Sequence, residues 1–455
     1  MIELDFLFIY EHKVRELEAL CLFKYELDKR GYKTKIVYVD DAENACCDVP
    51  KYHAKVLCVM ACYDNYTLFW HTKEFVKFDK VIDLQWENIV YPGDEEREDA
   101  HRNYWDVGKE VVHLSWGPLN VQRLINIAHV DERKVKMVGH AGMDYLREPL
   151  IRYYDDRKTF FPQYDIDLNS KVILFASPYY GDRLSPEYQI GMVESFGPKW
   201  PEYYDFMRKS QNIVLEWFEE YCEGHKNSIV VFRPHPGHPC YAALELEKRC
   251  PNFRVIGEKS VKQWIAVCDK VYTGNSTVVI EAFFANKDCQ LLFPLSIPED
   301  FELELIAKSK KITSKNELLL SIDNNENEFP TPENVIRDIY YIDDDKYAFQ
   351  LFADMAEEVW KDPYYNLSSK WLKAYKEYTK LEWMIKKIIG CKGMNTLYHR
   401  MLDNQKLQWR WLENQRKLRE KNKLHHMKIE QDHAHELLED GEIDRIINRI
   451  QSIFL

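Results

Sequence analysis

Two stretches of the chain combine residue types that could grip an anionic ligand and stabilise charge as a bond to it breaks. Ser228 to Phe232 is an apolar, β-favouring run that ends abruptly in Arg233-Pro234-His235-Pro236-Gly237-His238-Pro239. Three prolines and a glycine cannot continue a central strand, so the chain must leave the sheet there. Proline fixes its own φ and holds the preceding residue extended. Arg233 and His235 are therefore presented stiffly at the carboxyl end of a strand, the place where ligands bind in open α/β sheets. A guanidinium and an imidazole so held suit a phosphate. A Pro-rich turn that only redirects the chain is the plainer alternative.

In the second stretch, Lys270 to Thr273 reads as a short strand, Gly274-Asn275-Ser276-Thr277 as a turn, and Val278 to Ala285 as a helix. Ser276 or Thr277 can cap that helix. A helix start carries free N–H groups and about half a positive charge, which is how hydroxyl-rich turns hold phosphates. Taken alone, this piece fits an ordinary capped strand-turn-helix equally well. The two stretches lie about forty residues apart with one helix and one strand between them, which favours a shared phosphate site.

The elements around them alternate strand and helix twice over. In the first half, strands are expected at Leu4 to Tyr10, Lys35 to Val39, Val56 to Met60, Lys80 to Leu84 and Val111 to Gly117, with a helix from Val14 to Arg30 burying Leu17, Leu20, Cys21, Lys24 and Leu27. Such alternation implies a mostly parallel sheet covered by helices on both faces. Loops at its carboxyl edge offer Glu11 and His12 after the first strand and Glu87 within Gln85-Trp86-Glu87-Asn88. A first helical turn facing solvent accounts equally well for Glu11 to Glu18. Asp94 to Asp99 reads as a solvated acidic loop. In Gly139-His140-Ala141-Gly142 the glycines either let a ligand approach or make a tight turn, and the turn is the weightier reading. Between Arg152 and Ser170 periodicity fades into a linker. A second alternating half begins at Lys171 to Ala176, and its first loop places Ser177 at a strand end.

A strand leading into Arg-Pro-His-Pro, followed by a strand, Asn275-Ser276-Thr277 and a helix carrying Glu281, resembles the carboxyl-terminal domain of bacterial surface-carbohydrate glycosyltransferases of the GT-B fold. The relatives are CMP-sugar transferases with a His-Pro motif and CDP-glycerol or CDP-ribitol phosphotransferases of teichoic-acid synthesis. Phe8 to Glu18 is similar to the opening of surface carbohydrate biosynthesis proteins, and the resemblance spans about three quarters of the chain. It implies an α/β, GT-B-like fold with two Rossmann-like domains facing a cleft and a helical carboxyl-terminal extension. The boundaries are an acceptor domain over 1–165, a nucleotide-donor domain over 166–330 and the extension over 331–455. It further implies a cytidine-type nucleotide-activated donor, a glycan or lipid-linked acceptor, and no other cofactor. Donor contacts would come from Arg233, His235, Ser177, Gly274, Asn275, Ser276, Thr277 and Glu281, with Glu281 reaching a ribose hydroxyl. His235 would act on the leaving phosphate, and Glu11, His12 or Glu87 would take the acceptor proton. A sugar-nucleotide epimerase or hydrolase and a non-catalytic assembly scaffold are the alternatives.

Composition bounds these readings. At 455 residues the chain is too long for one ordinary core, and its 45% apolar content is ample for packing. A formal charge of −13 argues against a general nucleic-acid binder. Eleven cysteines lack a Cys-x-x-Cys pair, so neither a zinc site nor a disulfide framework is expected. No strand end carries Asp-x-Asp, since Asp343 to Asp345 falls in a polar region read as helical, and the donor site is expected to work without a metal. With no basic leader and no apolar run of spanning length, the expected location is the cytoplasm, peripheral to the inner face of the membrane. Lys406 to Leu412, basic and bearing Trp409 and Trp411, suggests contact with an anionic bilayer or a second copy of the chain. His425, His426, His433 and His435 read as surface residues.

Overall fold

A strand buried on both faces needs covering layers above and below it. β1 (Ile2–Tyr10) is buried without interruption from Phe6 to Tyr10. In the computed structural model, which describes residues 1–39, 51–72, 76–86, 104–179, 186–235, 240–324, 328–368 and 436–455, β1 lies inside a six-stranded parallel sheet. With β2 (Thr34–Tyr38), β3 (Tyr52–Val59), β4 (Val76–Asp83), β5 (Val112–Ser115) and β6 (Val135–Met137) the order is β2-β1-β3-β4-β5-β6. A second parallel sheet comprises β7 (Lys171–Ala176), β8 (Ser228–Arg233), β9 (Phe253–Val255), β10 (Lys270–Thr273) and β11 (Cys289–Leu291), ordered β11-β10-β7-β8-β9.

The order reverses direction beside β1 in the first sheet and beside β7 in the second. Crevices open at such switch points, outside the carboxyl ends of the strands. The loop carrying Glu11 and His12 follows β1, and the loops carrying Ser177 and Gly274 follow β7 and β10. Topology therefore puts most of the expected site residues at two switch points.

The helix Lys13–Lys29 buries far more than one stripe, including Ala19, Leu22 and Phe23 beside Leu17, Leu20, Cys21 and Leu27. One side faces the sheet and the other is covered by the helix Ala348–Lys361, whose Phe352 ring stacks on Phe23 at 3.7 Å. Lys24, expected in the buried stripe, instead holds its ammonium at Asp28 (2.7 Å) and the Thr34 carbonyl (3.3 Å). A lysine stem can pack on apolar surface while its head stays among polar groups.

The chain reaches Ala348–Lys361 by crossing back from the second sheet to the first. Tyr341 N–H donates to the Trp116 carbonyl at 2.6 Å, and two glycines make room for the crossing. A Cβ on Gly117 would stand 2.3 Å from the Ile339 carbonyl oxygen, and one on Gly139, where φ is +84°, 2.7 Å from that of Tyr341. Asp144 then receives the Phe349 N–H at 2.9 Å, at the start of the returning helix, and buried Lys80 donates to the Val359 and Trp360 carbonyls (2.6 and 2.8 Å) near its end. These are the terminal groups a helix leaves unpaired: Asp144 offers an acceptor at the amino end, and the Lys80 ammonium has the favourable sign at the carboxyl end. Asp343–Asp345 lies in the exposed turn before that helix, not within a helix, because Asp343 Oδ1 accepts the N–H groups of Asp345 and Lys346 (2.9 and 2.8 Å).

The aperiodic connection expected between Arg152 and Ser170 contains short helical turns packed on the second domain. Phe160 and Tyr164 lie 4.8 and 5.1 Å from the Trp264 ring, and Arg157 pairs with Asp269 at 2.6 Å. Its aromatic residues thus serve packing that no local period reveals. The last helix, Glu442–Phe454, lies against Lys13–Lys29, with Phe454 stacked on Tyr25. The basic segment Lys406–Leu412 and the four late histidines lie outside the described residues. No helix among the described residues is long and apolar enough to cross a membrane.

Candidate active site

At the carboxyl edge of the second sheet the strand ends are tied to one another through main-chain groups. Ser177 N–H donates to the Arg233 carbonyl (2.9 Å), joining the β7 loop to β8, and Thr273 Oγ1 donates to the Ala176 carbonyl (2.8 Å), joining β10 to β7. Ser177 itself is buried, its Oγ accepting the Tyr179 N–H at 3.2 Å. Gly274 fits where nothing larger would, since a Cβ there would meet Pro178 Cγ at 2.9 Å and the Tyr179 hydroxyl at 3.1 Å. The strand ends at this edge are therefore tied to one another without a ligand.

Onto this edge project the charged groups. Arg233 is half-buried and donates from Nη1 to the Glu258 carbonyl at 2.9 Å. Burial draws its guanidinium below the ordinary value, and the Glu281 carboxylate opposes that drift. His235, two residues on, is half-buried, and Pro236 to Pro239 lie outside the described residues. Ser276 Oγ accepts the Val278 N–H at 3.3 Å, so of the two hydroxyls it is Ser276 that caps the helix Val278–Phe284. Thr277 is already helical, exposed, and makes no capping bond. Asn275 holds structure in place: its amide donates to the Phe301 carbonyl (2.7 Å) and accepts the Leu303 N–H (3.0 Å).

Glu281 sits one turn into that helix, half-buried, and its carboxylate makes no hydrogen bond among the described residues. Burial pushes its carboxyl up, while Lys262 and Arg233 pull it down. Glu18, from the first domain's opening helix, adds like charge from across the cleft. Also on the first domain's wall, His140 at the end of the β6 loop is held by burial, with Lys262 and Arg15, down at about 3. Lys262 spans the two domains by donating to the Gly142 carbonyl at 2.9 Å, and Arg123 pairs with Glu304 through two contacts of 3.1 and 2.6 Å.

The first sheet's edge is built differently. Glu11 and His12 have exposed side chains, and the backbone between them and the helix is held from two directions. Buried Glu16 accepts the Glu11 N–H at 2.9 Å and pairs with Arg15 at 2.8 Å, its carboxyl pushed up by burial. Glu436 receives the Lys13 N–H and stands 3.6 Å from His12 Nδ1, while its main-chain carbonyl accepts the Tyr10 hydroxyl at 2.7 Å. Glu87 lies outside the described residues. The turn before it is anchored by a buried network in which His113 bonds Asp83 (3.0 Å) and the Gly108 carbonyl (2.6 Å), and Asp83 accepts the Gln85 N–H (3.0 Å).

The sequence pointed to the residues of the second edge and to the charged stretch from Glu11 to Arg15, but not to Lys262 or the Asp83–His113 pair. His140, expected in a tight turn, does cap the short helix Ala141–Asp144 and also stands beside Lys262.

No family model matches the chain, and no curated protein sequence matches it. Among solved structures, a variant of the wall teichoic acid polymerase TagF is similar with a TM-score of 0.50 and 13% identity, covering 79% of this chain and 89% of that one. The fold is GT-B-like. S. aureus MnaA with UDP (11% identity, 77% of this chain and 94% of that one, TM-score 0.40) and a Rickettsia africae glycosyltransferase (12%, 79% and 99%, TM-score 0.39) are also similar. Electrostatic contact between the two halves runs through Arg233, Lys262 and Glu281 on one side and His140, Arg15 and Glu18 on the other.

Proposed function

We propose that the chain is a transferase that moves a glycosyl or polyol-phosphate group from a nucleotide-activated, cytidine-type donor to a hydroxyl of a glycan or lipid-linked acceptor in bacterial surface or cell-wall polymer synthesis. The observation that carries this reading is the convergence of Ser177, Arg233 and the Gly274 to Ser276 turn on one strand edge, with Glu281 beside them. The likeness of fold to TagF, a wall teichoic acid polymerase, supports it.

As the donor bond breaks, negative charge grows on the departing phosphate. Arg233, His235 and the N–H groups near Ser276 are aligned beforehand, so they favour that charge over the ground state without reorganising. Glu281 faces a ribose hydroxyl one helical turn away. Glu11, His12 or Glu87 takes the acceptor's proton from the opposite edge. With protein cations neutralising the leaving group, the reaction needs neither a metal nor a further cofactor.

A thermal-shift panel of CMP, CDP, UDP, GDP and ADP, run with and without EDTA, tests the reading. A ligand specific for the native state stabilises it by about 2.7 kcal/mol at a hundredfold excess over Kd, a shift of several degrees. A cytidine nucleotide should stand out, equally with EDTA present. Stabilisation by UDP or GDP alone sinks the donor assignment, and silence from all five at millimolar concentration sinks the transferase.

A further inference from the structure

We propose that His140 and Lys262 form a clasp across the domain gap for a phosphoryl oxygen of the bound substrate, with His140 acting as a neutral hydrogen-bond donor from Nε2. The inference rests on the transferase reading and adds to it two positioning residues and the chemical role of each.

The tautomer follows from the turn. His140 caps the short helix Ala141–Asp144, and its Nδ1 accepts the Gly142 N–H at 3.0 Å. A nitrogen that accepts carries no proton in a neutral imidazole, so the proton resides on Nε2. That nitrogen finds no partner among the described residues. Packing nevertheless holds the ring on several sides: Trp116 edge-on at 4.3 Å, Trp86 at 5.8 Å and Tyr340 at 6.2 Å. The indole N–H groups of Trp86 and Trp116 are buried without a hydrogen-bond partner. Unmet buried donors are rare in proteins because each forfeits its bond to water. Two of them on one aromatic wall, beside the Nε2–H of His140, point to a missing acceptor.

The charges beside the wall give that acceptor its sign. Lys262 and Arg15 both face the imidazole and disfavour its protonation, and Trp86, Trp116 and Tyr340 bring no charge. Lys262 uses one of its three donors on the Gly142 carbonyl. Gly142 is what allows the arrangement, since a Cβ there would meet His140 Cε1 at 2.7 Å and Lys262 Nζ at 3.4 Å. Arg15 is paired with Glu16 and Lys262 also acts on the Glu281 carboxylate, so the N–H groups that remain on Lys262, with the uncharged Nε2 donor, are what suit an anionic oxygen. With its proton on Nε2, His140 cannot take one from an acceptor hydroxyl through that atom, which leaves the base role to the other edge.

The test compares His140→Ala, His140→Gln and Lys262→Met by calorimetric titration with CDP and by steady-state transfer. A glutamine nitrogen can replace Nε2 as a donor but cannot act as a base. His140→Ala and Lys262→Met are expected to weaken CDP binding or raise one substrate's KM roughly tenfold or more, while His140→Gln stays within about threefold of the wild type with an unchanged kcat–pH profile. A change confined to CDP binding and donor KM assigns the oxygen to the donor, and one confined to acceptor KM assigns it to a phosphate on the acceptor. Wild-type behaviour of folded His140→Ala overturns the clasp, as does a His140→Gln enzyme as inactive as the alanine variant with a lost pH limb. Should His140→Ala fail to fold, Lys262→Met decides alone, and unchanged constants there overturn the proposal. A wild type that binds no nucleotide and transfers nothing removes the transferase reading itself, and the clasp with it.

Discussion

At the edge of the second sheet the strand ends hold one another: Ser177 bonds Arg233, Thr273 bonds Ala176, and Ser276 caps the helix two residues on. At the edge of the first sheet, the loop after β1 is held by Glu16 within its own helix and by Glu436 from the far end of the chain, and the floor beneath it by the returning helix Ala348–Lys361. Both edges are switch points of parallel sheets. One is tied together by bonds between the strand ends of its own sheet, the other depends also on a contact from the far end of the chain. The difference teaches where substitutions should act on chemistry and where on architecture.

The largest effect is expected at the second sheet's edge. His235→Ala should lower kcat for transfer about 100- to 1000-fold, the loss typical of one transition-state electrostatic donor, with circular dichroism and Tm unchanged. Of Glu11→Gln, His12→Ala and Glu87→Gln at the opposite edge, one alone should match that loss. Near-normal turnover by folded His235→Ala would erase the contrast between the edges.

Gly117→Ala should act on architecture. Its Cβ would press on the Ile339 backbone, which cannot swing aside as a side chain could, and overpacking of this kind costs about 2 to 3 kcal/mol. Urea unfolding should show that loss, and an unchanged midpoint would mean the crossing chain is loosely seated.

Asp144, under the same returning helix, should make stability depend on pH. Burial lifts its carboxyl from 3.8 to about 7, against the pull of the Phe349 and Ala348 N–H groups and Arg147. Between those values the folded state binds more protons than the unfolded chain, so the contribution is complete below about pH 4 and is lost as pH rises toward 7. Relative to Asp144→Asn, the wild type should lose roughly 1 to 2 kcal/mol between pH 5 and 7. Parallel curves for the two proteins would place the titration elsewhere.

The smallest effect should follow Glu436→Ala, which frees the loop after β1. Its carboxylate is partly solvated, so a loss of about 1 kcal/mol in urea unfolding is expected, with nucleotide shifts at the other edge untouched. A lost nucleotide shift would show that the two edges are coupled.

Strand and helix positions were legible to within a few residues wherever buried runs, Gly and Pro set the backbone locally. β8 ends where Pro234 stops it, β10 ends at Gly274, and the helix after it starts where Ser276 can reach an N–H. Those choices are made by groups within a few residues of one another, by steric limits on φ and by caps, so the sequence alone determined them, together with the parallel alternation that brings loops to the carboxyl edges. Partners across the cleft were another matter. Lys262 meets Gly142 because the two domains face each other, Asn275 is committed to Phe301 and Leu303, and Glu436 arrives beside His12 from more than four hundred residues away. Charge and hydrogen-bonding capacity are visible in a sequence, but their use depends on distances that strand order and the crossing at Gly117 and Gly139 create, and only the tertiary structure decided those.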